Sequence, residues 1–109
     1  MFTRYKALIS NIHAGQVAIL DSGTSTELER RGATMDDQVW SALASIESFD
    51  SLVETHQAYI DAGADVITVN GYASSRLVLE PAGRLDEVRT INMKNIEAAL
   101  LARERCGNN

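Results

Sequence analysis

Short apolar runs alternate with amphipathic stretches along the chain, and this alternation predicts an α/β arrangement. Residues 2–12 carry apolar side chains at helical spacing, which predicts an amphipathic helix ended by Gly15. Residues 17–20 form a continuous apolar run that stops at Asp21, as is typical of a strand buried on both faces. A short charged helix should follow and end at Gly32.

A second strand and two longer helices complete the pattern. Residues 51–62 have one apolar and one polar stripe, with Ser51 and Glu54 at capping-box spacing. The β-branched stretch 65–70 predicts a second strand, and residues 86–106 a final helix that Gly107 ends. Because the helices between the two strands return the chain, the strands should be parallel, with their carboxyl ends on the same side.

The stretch between the short helix and residue 51 is less regular. Trp40, Leu43 and Ile46 recur every third residue, which predicts one or two helical turns that bury Trp40 in the core. Asp36 and Asp37 are placed to cap these turns.

Polar residues follow both predicted strands at the points where they end. Asp21 follows the first strand, before the turn at Ser22 and Gly23, and Asn70 ends the second. Since ligands of α/β proteins bind beyond the carboxyl ends of parallel strands, Asp21 and Asn70 should project from the same face as a binding site. The alternative is that Asp21 only caps its own turn.

The remaining polar candidates favour structural roles. His13 suits the end of the first helix, and His56 has no second ligand at metal-binding spacing, so we interpret it as a satisfied structural histidine. Cys106 lies near Arg103 and Arg105, which could lower its thiol pKa, but an incidental thiol is the preferred interpretation.

Composition narrows the class of protein. The chain is 45% hydrophobic and 23% charged with a net charge of −5, which disfavours nucleic acid as a partner. It has neither a membrane-length apolar run nor a signal peptide pattern. Its single cysteine is consistent with a reducing cytoplasm. Two parallel strands would leave both sheet edges open, so we expect the first portion of a larger β/α protein.

The sequence resembles the N-terminal part of the homocysteine S-methyltransferase family. The resemblance begins with Leu20-Asp21-Ser22-Gly23, Thr26-Glu27-Leu28-Glu29-Arg30-Arg31-Gly32 and Trp40-Ser41-Ala42. It continues through His56-Gln57-Ala58-Tyr59, residues 62–68, Asn70-Gly71-Tyr72, Ser75-Arg76, Val78-Leu79, Ile91-Asn92 and Leu101-Ala102-Arg103-Glu104. Each motif is weak alone, and the series is specific.

The resemblance implies a fold and a reaction. The fold is a (β/α)8 TIM-like barrel, of which residues 1–109 would be an N-terminal fragment: residues 1–15 a leading helix and residues 16–109 the first two βα units. The reaction is methyl transfer to the thiol of homocysteine, giving methionine. Asp21, Ser22 and Gly23 would then face the amino and carboxylate end of homocysteine, with Asn70 on the same rim.

The resemblance also implies a zinc ion that holds the substrate thiolate. The family's zinc cysteines lie in later strands and Cys106 does not match them, so we expect no zinc ligands in this chain and no activity of the chain by itself. Two alternatives remain: a non-catalytic fragment or half-barrel that self-associates or joins a partner chain through open strand edges, and another barrel enzyme that shares only the βα pattern.

The turn after Asp21 departs from the family pattern. The family usually has two glycines where this chain has Ser22-Gly23, and Met-Gly where it has Thr24-Ser25. A threonine is common at the position of Gly71. The added β-carbons at Ser22 and Ser25 could crowd a close backbone approach.

Overall fold

The computed structural model describes residues 2–106, and their regular structure is helical. The helices are α1 (Phe2–His13), α2 (Thr24–Arg30), α3 (Ala44–Glu47), α4 (Phe49–Asp61), α5 (Arg76–Leu79) and α6 (Val88–Arg105), with a 3₁₀ turn at Leu85–Glu87 before α6. The predicted helices at residues 2–12, 51–62 and 86–106 are present within about two residues of their predicted ends. The predicted stop at Gly107 lies outside the described residues.

The core is built around α4 and α6, which run side by side in the same direction. Ser45, just before α4, donates to the carbonyl oxygen of Ile91 near the start of α6. At the other end, Cys106 Sγ lies 3.8 Å from Asp61 Oδ1. Leucine and valine on α4 meet alanines on α6, whose small side chains allow the helices to approach closely. The buried cluster is Leu28, Ala33, Ala44, Leu52, Val53, Ala98 and Ala102.

The predicted pair of parallel strands is wrong for the described residues. The first bridge segment (residues 17–21) and the second bridge segment (residues 65–70) are joined by a single parallel bridge between Leu20 and Val66. Neither segment forms a strand, so the chain as described does not contain the βα units of a TIM-like barrel. The apolar side chains of the first segment are also not buried, since Ile19 is 56% and Leu20 62% exposed.

Two carboxylates explain why the ladder stops after one bridge. The bridge bonds are present: Asp21 N–H donates to Val66 O, and Val66 N–H donates to Ile19 O. On either side of the bridge, the N–H groups that would continue the ladder donate to side-chain oxygens instead of backbone carbonyl oxygens. Thr68 N–H donates to Asp21 Oδ2, and Ile19 N–H donates to Asp65 Oδ2. The side chains thus take the places that further strand pairing would need.

The prediction that helical turns bury Trp40 is also wrong. Asp36 Oδ1 accepts hydrogen bonds from the N–H groups of Gln38 and Val39, and this turn forms instead of a helix. Val39 enters the core, whereas Trp40 is 52% exposed at a left-handed φ of 52°. A helix begins only at Ala44.

Candidate functional site

An open cavity of about 670 Å³ lies where the two bridge segments meet the start of α2. All four residues predicted for the site line it: Asp21, Ser22, Gly23 and Asn70. The other lining residues come from α2, the second bridge segment and two loops, namely Thr24, Ser25, Thr26, Trp40, Thr68, Val69, Gly71 and Tyr72. Asp21 and Asn70 thus line one cavity, although the parallel strands that suggested a shared face are absent from the described residues.

Asp21 places a carboxylate on the cavity wall. It is only 6% exposed, and Oδ2 accepts a hydrogen bond of 3.0 Å from Thr68 N–H in the second bridge segment. This bond crosses the structure rather than closing the turn of Asp21 itself. No hydrogen bond from residues 2–106 reaches the other oxygen, Oδ1. The carboxylate is thus held by one oxygen and has acceptor capacity left at the other.

The turn after Asp21 places backbone N–H groups beside that carboxylate. Gly23 has a left-handed φ of 59°, and a Cβ added there would lie 3.2 Å from Tyr59 Oη. Ser22 is exposed and does not have a positive φ, so its β-carbon is accommodated without backbone strain. The N–H groups of Ser22 and Gly23 make no hydrogen bond to the described residues, which leaves them free for an anionic group.

Asn70 is held by Ser41 rather than left open to a ligand. It is 8% exposed. Its Nδ2 donates to Ser41 O at 2.9 Å, and its Oδ1 accepts from Ser41 Oγ at 3.2 Å. Ser41 Oγ in turn lies 2.6 Å from Ser25 Oγ. Asn70 therefore ties the second bridge segment to Ser41 and, through it, to α2.

Two aromatic side chains form one rim of the cavity. The rings of Trp40 and Tyr72 are stacked, with centroids 5.8 Å apart and planes inclined by 20°. Tyr72 is 87% exposed, so the pair stands largely in solvent. Such an exposed stack is suited to contact a ligand with a cationic or apolar group.

His56 lies buried in the protein interior near Asp21. It is fully buried, and neither ring nitrogen has a hydrogen-bond partner among the described residues, so the prediction of a satisfied histidine is wrong. Burial lowers the pKa of His56 below its ordinary value, and the negative charge of Asp21 partly opposes this. The imidazole is thus kept neutral, and it does not neutralise the Asp21 carboxylate.

Sequence reasoning missed part of this site. Ser25 and Thr68 line the cavity and Ser41 holds Asn70, yet the sequence pattern points to none of them as a site residue. The same pattern places Trp40 in the core. The Trp40-Ser41-Ala42 motif is the sequence signal that could identify Trp40 and Ser41. It supplies an aromatic ring of the rim and the hydroxyl group that bonds to Asn70.

The part of the chain that the structure describes does not contain a set of side chains that fits a zinc ion. Within residues 2–106 there is no group of three or more His, Cys, Asp or Glu side chains that could hold a metal ion. Cys106 lies at the end of α6, away from the cavity lining. Burial raises its thiol pKa, as does Asp61, which contradicts the expected lowering by arginines.

No helix of the described residues is long and apolar enough to cross a membrane.

Known proteins of related function match most of this chain. The family model described as homocysteine S-methyltransferase matches residues 18–108. Homocysteine S-methyltransferase 1 of Arabidopsis thaliana is 33% identical over 92 residues, covering 84% of this chain and 28% of its own length. Selenocysteine Se-methyltransferase of Brassica oleracea var. italica is 36% identical over 90 residues, covering 82% of this chain and 26% of its own length.

A third relative, homocysteine S-methyltransferase 2 of Zea mays, is 35% identical over 92 residues, covering 84% of this chain and 27% of its own length. The chain thus spans little more than a quarter of the length of the curated relatives it matches. No solved structure matches it significantly.

Proposed function

The chain belongs to the homocysteine S-methyltransferase family, and from this premise we propose that its cavity binds the amino-acid end of a thiol or selenol substrate during methyl transfer. Homocysteine is the proposed substrate, with methionine as the product. Selenocysteine is included because one relative is a selenocysteine Se-methyltransferase. The observation that carries the proposal is the Asp21 carboxylate, buried, held by Thr68 and open at one oxygen.

Charge complementarity sets the orientation of the amino acid in this proposal. The ammonium group lies against Asp21 Oδ1, where a hydrogen bond between two charged groups is stronger than one between neutral groups. The substrate carboxylate lies against the free N–H groups of Ser22 and Gly23. The sulfur or selenium atom then points away from this polar end, toward the open part of the cavity.

The aromatic rim offers a place for the methyl donor. A sulfonium or ammonium donor carries a positive charge that the faces of Trp40 and Tyr72 attract. Both rings line the cavity and are more than half exposed, so a donor in contact with them does not need to displace the amino acid. We expect the chain by itself to bind the amino acid without transferring methyl groups, since residues 2–106 supply no zinc set to hold a thiolate.

Binding measurements with matched ligands test the proposal. We expect L-homocysteine to bind the chain more tightly than 4-mercaptobutanoate, which lacks the amino group. We expect Asp21→Asn to weaken L-homocysteine binding by about tenfold or more, because a hydrogen bond to a charged group is worth about 1.5–3 kcal/mol. Calorimetry or chemical shift titration gives both affinities.

The control is Asp37→Asn, which makes the same change of charge at an exposed aspartate outside the cavity lining. It should leave both affinities unchanged. Equal affinity of wild type for the two ligands, or equal affinity of wild type and Asp21→Asn for homocysteine, would contradict the proposal.

A second candidate is a non-catalytic chain that associates with itself or with a partner chain. The exposed apolar side chains of the first bridge segment favour it, since Val17 is 85% and Leu20 62% exposed. Exposed apolar surface that is contiguous marks an interaction site more often than scattered residues do. The apolar side chains of residues 17–20 do not line the cavity, so this candidate and the amino-acid site are compatible.

A further inference from the structure

The hydrogen-bond pattern around Asn70 fixes which way each proton points. Ser41 O is a carbonyl oxygen and can only accept, so the atom of Asn70 that faces it at 2.9 Å must be Nδ2. The other amide atom, facing Ser41 Oγ at 3.2 Å, is then Oδ1. Because Oδ1 can only accept, the hydroxyl proton of Ser41 must be donated to Asn70.

The same reasoning extends one residue further, to α2. A serine hydroxyl has a single proton, and that of Ser41 is already committed to Asn70. Ser25 Oγ lies 2.6 Å from Ser41 Oγ, so Ser25 must be the donor of this bond. The proton of Ser25 thus points at Ser41, and what remains at Ser25 Oγ is acceptor capacity alone.

We propose that Ser25 is a specificity-determining residue, which accepts a hydrogen bond from the ammonium group of the amino acid held at Asp21. This inference rests on the proposed function, and it adds a second acceptor to the same site. Ser25 is half-buried and lines the same cavity as Asp21. Ser41 and Asn70 act through Ser25 and are positioning residues.

The fixed direction of the bonds gives the site its selectivity. A free serine hydroxyl rotates to serve either a donor or an acceptor, whereas Ser25 is held so that it can only accept. Asp21, when ionised, also only accepts. The oxygens of Asp21 and Ser25 therefore favour a ligand group with several N–H donors and disfavour a carboxylate. The substrate carboxylate is left with the N–H groups of Ser22 and Gly23, and the amino acid can enter in one orientation.

The test removes the hydroxyl and follows two ligands. We expect Ser25→Ala to weaken L-homocysteine binding by about tenfold, equal to about 1.4 kcal/mol, and to leave 4-mercaptobutanoate binding unchanged because that ligand has no ammonium group. Ser25→Thr keeps the hydroxyl and should retain most of the homocysteine affinity. Ser41→Ala releases the proton of Ser25 and should cause a smaller loss, again for homocysteine only.

The outcomes separate this inference from the proposed function. If Asp21→Asn weakens homocysteine binding while Ser25→Ala weakens both ligands equally or neither, the inference about Ser25 is wrong and the proposed function stands. If wild type does not distinguish the two ligands, the proposed function fails first. Thermal unfolding of each variant identifies a folding defect, and Ser25→Thr then decides the case, because a loss as large as that of Ser25→Ala would overturn the inference.

Discussion

The two buried polar residues Asp21 and His56 differ in their hydrogen bonding. Asp21 keeps a hydrogen bond to Thr68, whereas His56 has both ring nitrogens without a partner among the described residues. An unpartnered buried imidazole costs free energy in either state of charge, and more when protonated. The protein therefore keeps His56 neutral, and a dependence of stability on pH follows.

We expect the free energy of unfolding to fall as the pH drops below about 6.5, the ordinary pKa of histidine. The pKa of His56 is lowered in the folded state, so the unfolded chain takes up a proton that the folded chain does not. The slope of the free energy of unfolding against pH can reach about 1.4 kcal/mol per pH unit. His56→Leu should remove this slope, and urea denaturation between pH 6.5 and 5 measures it.

His13→Gln is the matched control, because His13 is exposed at the end of α1, and this variant should keep the slope. The window avoids Glu27, whose pKa the guanidinium of Arg30 helps lower to about 2, so that its contribution appears only in more acidic solution. A slope that persists in His56→Leu would contradict the assignment.

Among the secondary-structure elements, strand pairing begins at one backbone bridge and is ended by side chains. The bridge between Leu20 and Val66 is flanked on both sides by aspartates that accept ladder N–H groups. One of them, Asp65, is exposed and does not line the cavity of Asp21, so it can be changed without altering that cavity.

We expect Asp65→Ala to expose Ile19 N–H and to lower the free energy of unfolding by about 0.5–1 kcal/mol, the lower part of the range for one hydrogen bond. Asp65→Asn retains an acceptor oxygen and should lose less. Amide hydrogen exchange at Ile19, read by NMR, checks the specific bond. Unchanged exchange at Ile19 in Asp65→Ala would show that the carboxylate does not hold it.

The elements that the sequence predicted well are those specified by local periodicity. The apolar stripe of residues 51–62 and the glycine after it define α4 almost completely, since both act within one or two turns. The bridge segments could not be predicted in this way. An apolar run such as residues 17–20 indicates a strand only if partners cover it, and the carboxylates of Asp21 and Asp65 intervene before a second bridge forms.

Chain order is enough to predict which candidate residues come together at the cavity. It is not enough to predict the side-chain contacts that those residues make. Asp21 and Asn70 follow two apolar runs and reach the same cavity, as chain order indicated. The pairing of Asn70 with Ser41 joins residues 29 positions apart, and no local pattern reports it. The spacing of Trp40 fits a helix that would bury it, but the hydrogen bonds accepted by Asp36 hold a turn and leave Trp40 exposed.

At the scale of the whole molecule, the described residues form an elongated body of 47 × 25 × 21 Å. Its radius of gyration of 14.9 Å exceeds the value of about 13 Å expected for a compact chain of this length. The first bridge segment presents exposed apolar side chains on this body. The net charge of −5 opposes close approach of two copies and is screened by salt.

We expect the chain to associate in a concentration-dependent manner and more strongly at high salt. Ile19→Lys should reduce association, because it places a charge on the first bridge segment while the backbone bonds of Ile19 remain possible. Thr34→Lys adds the same charge at an exposed position outside that segment. Light scattering coupled to size exclusion gives the mass. A wild-type chain that stays monomeric at every concentration and salt level would contradict the expectation.

The common direction of α4 and α6 has a topological consequence for the cavity. A chain that leaves the end of one helix and enters a neighbour pointing the same way must travel back about 20 Å, the length of α4. About six residues of straight backbone cover that distance, and the second bridge segment supplies this return with Asn70 at its far end. The rest of the connector, between Tyr72 and α6, is not needed for this return and packs into the core instead, since Leu79 of α5 is fully buried beside Val39 and Ile91. The connector therefore has two parts, one that brings Asn70 to the cavity and one that covers a second buried cluster.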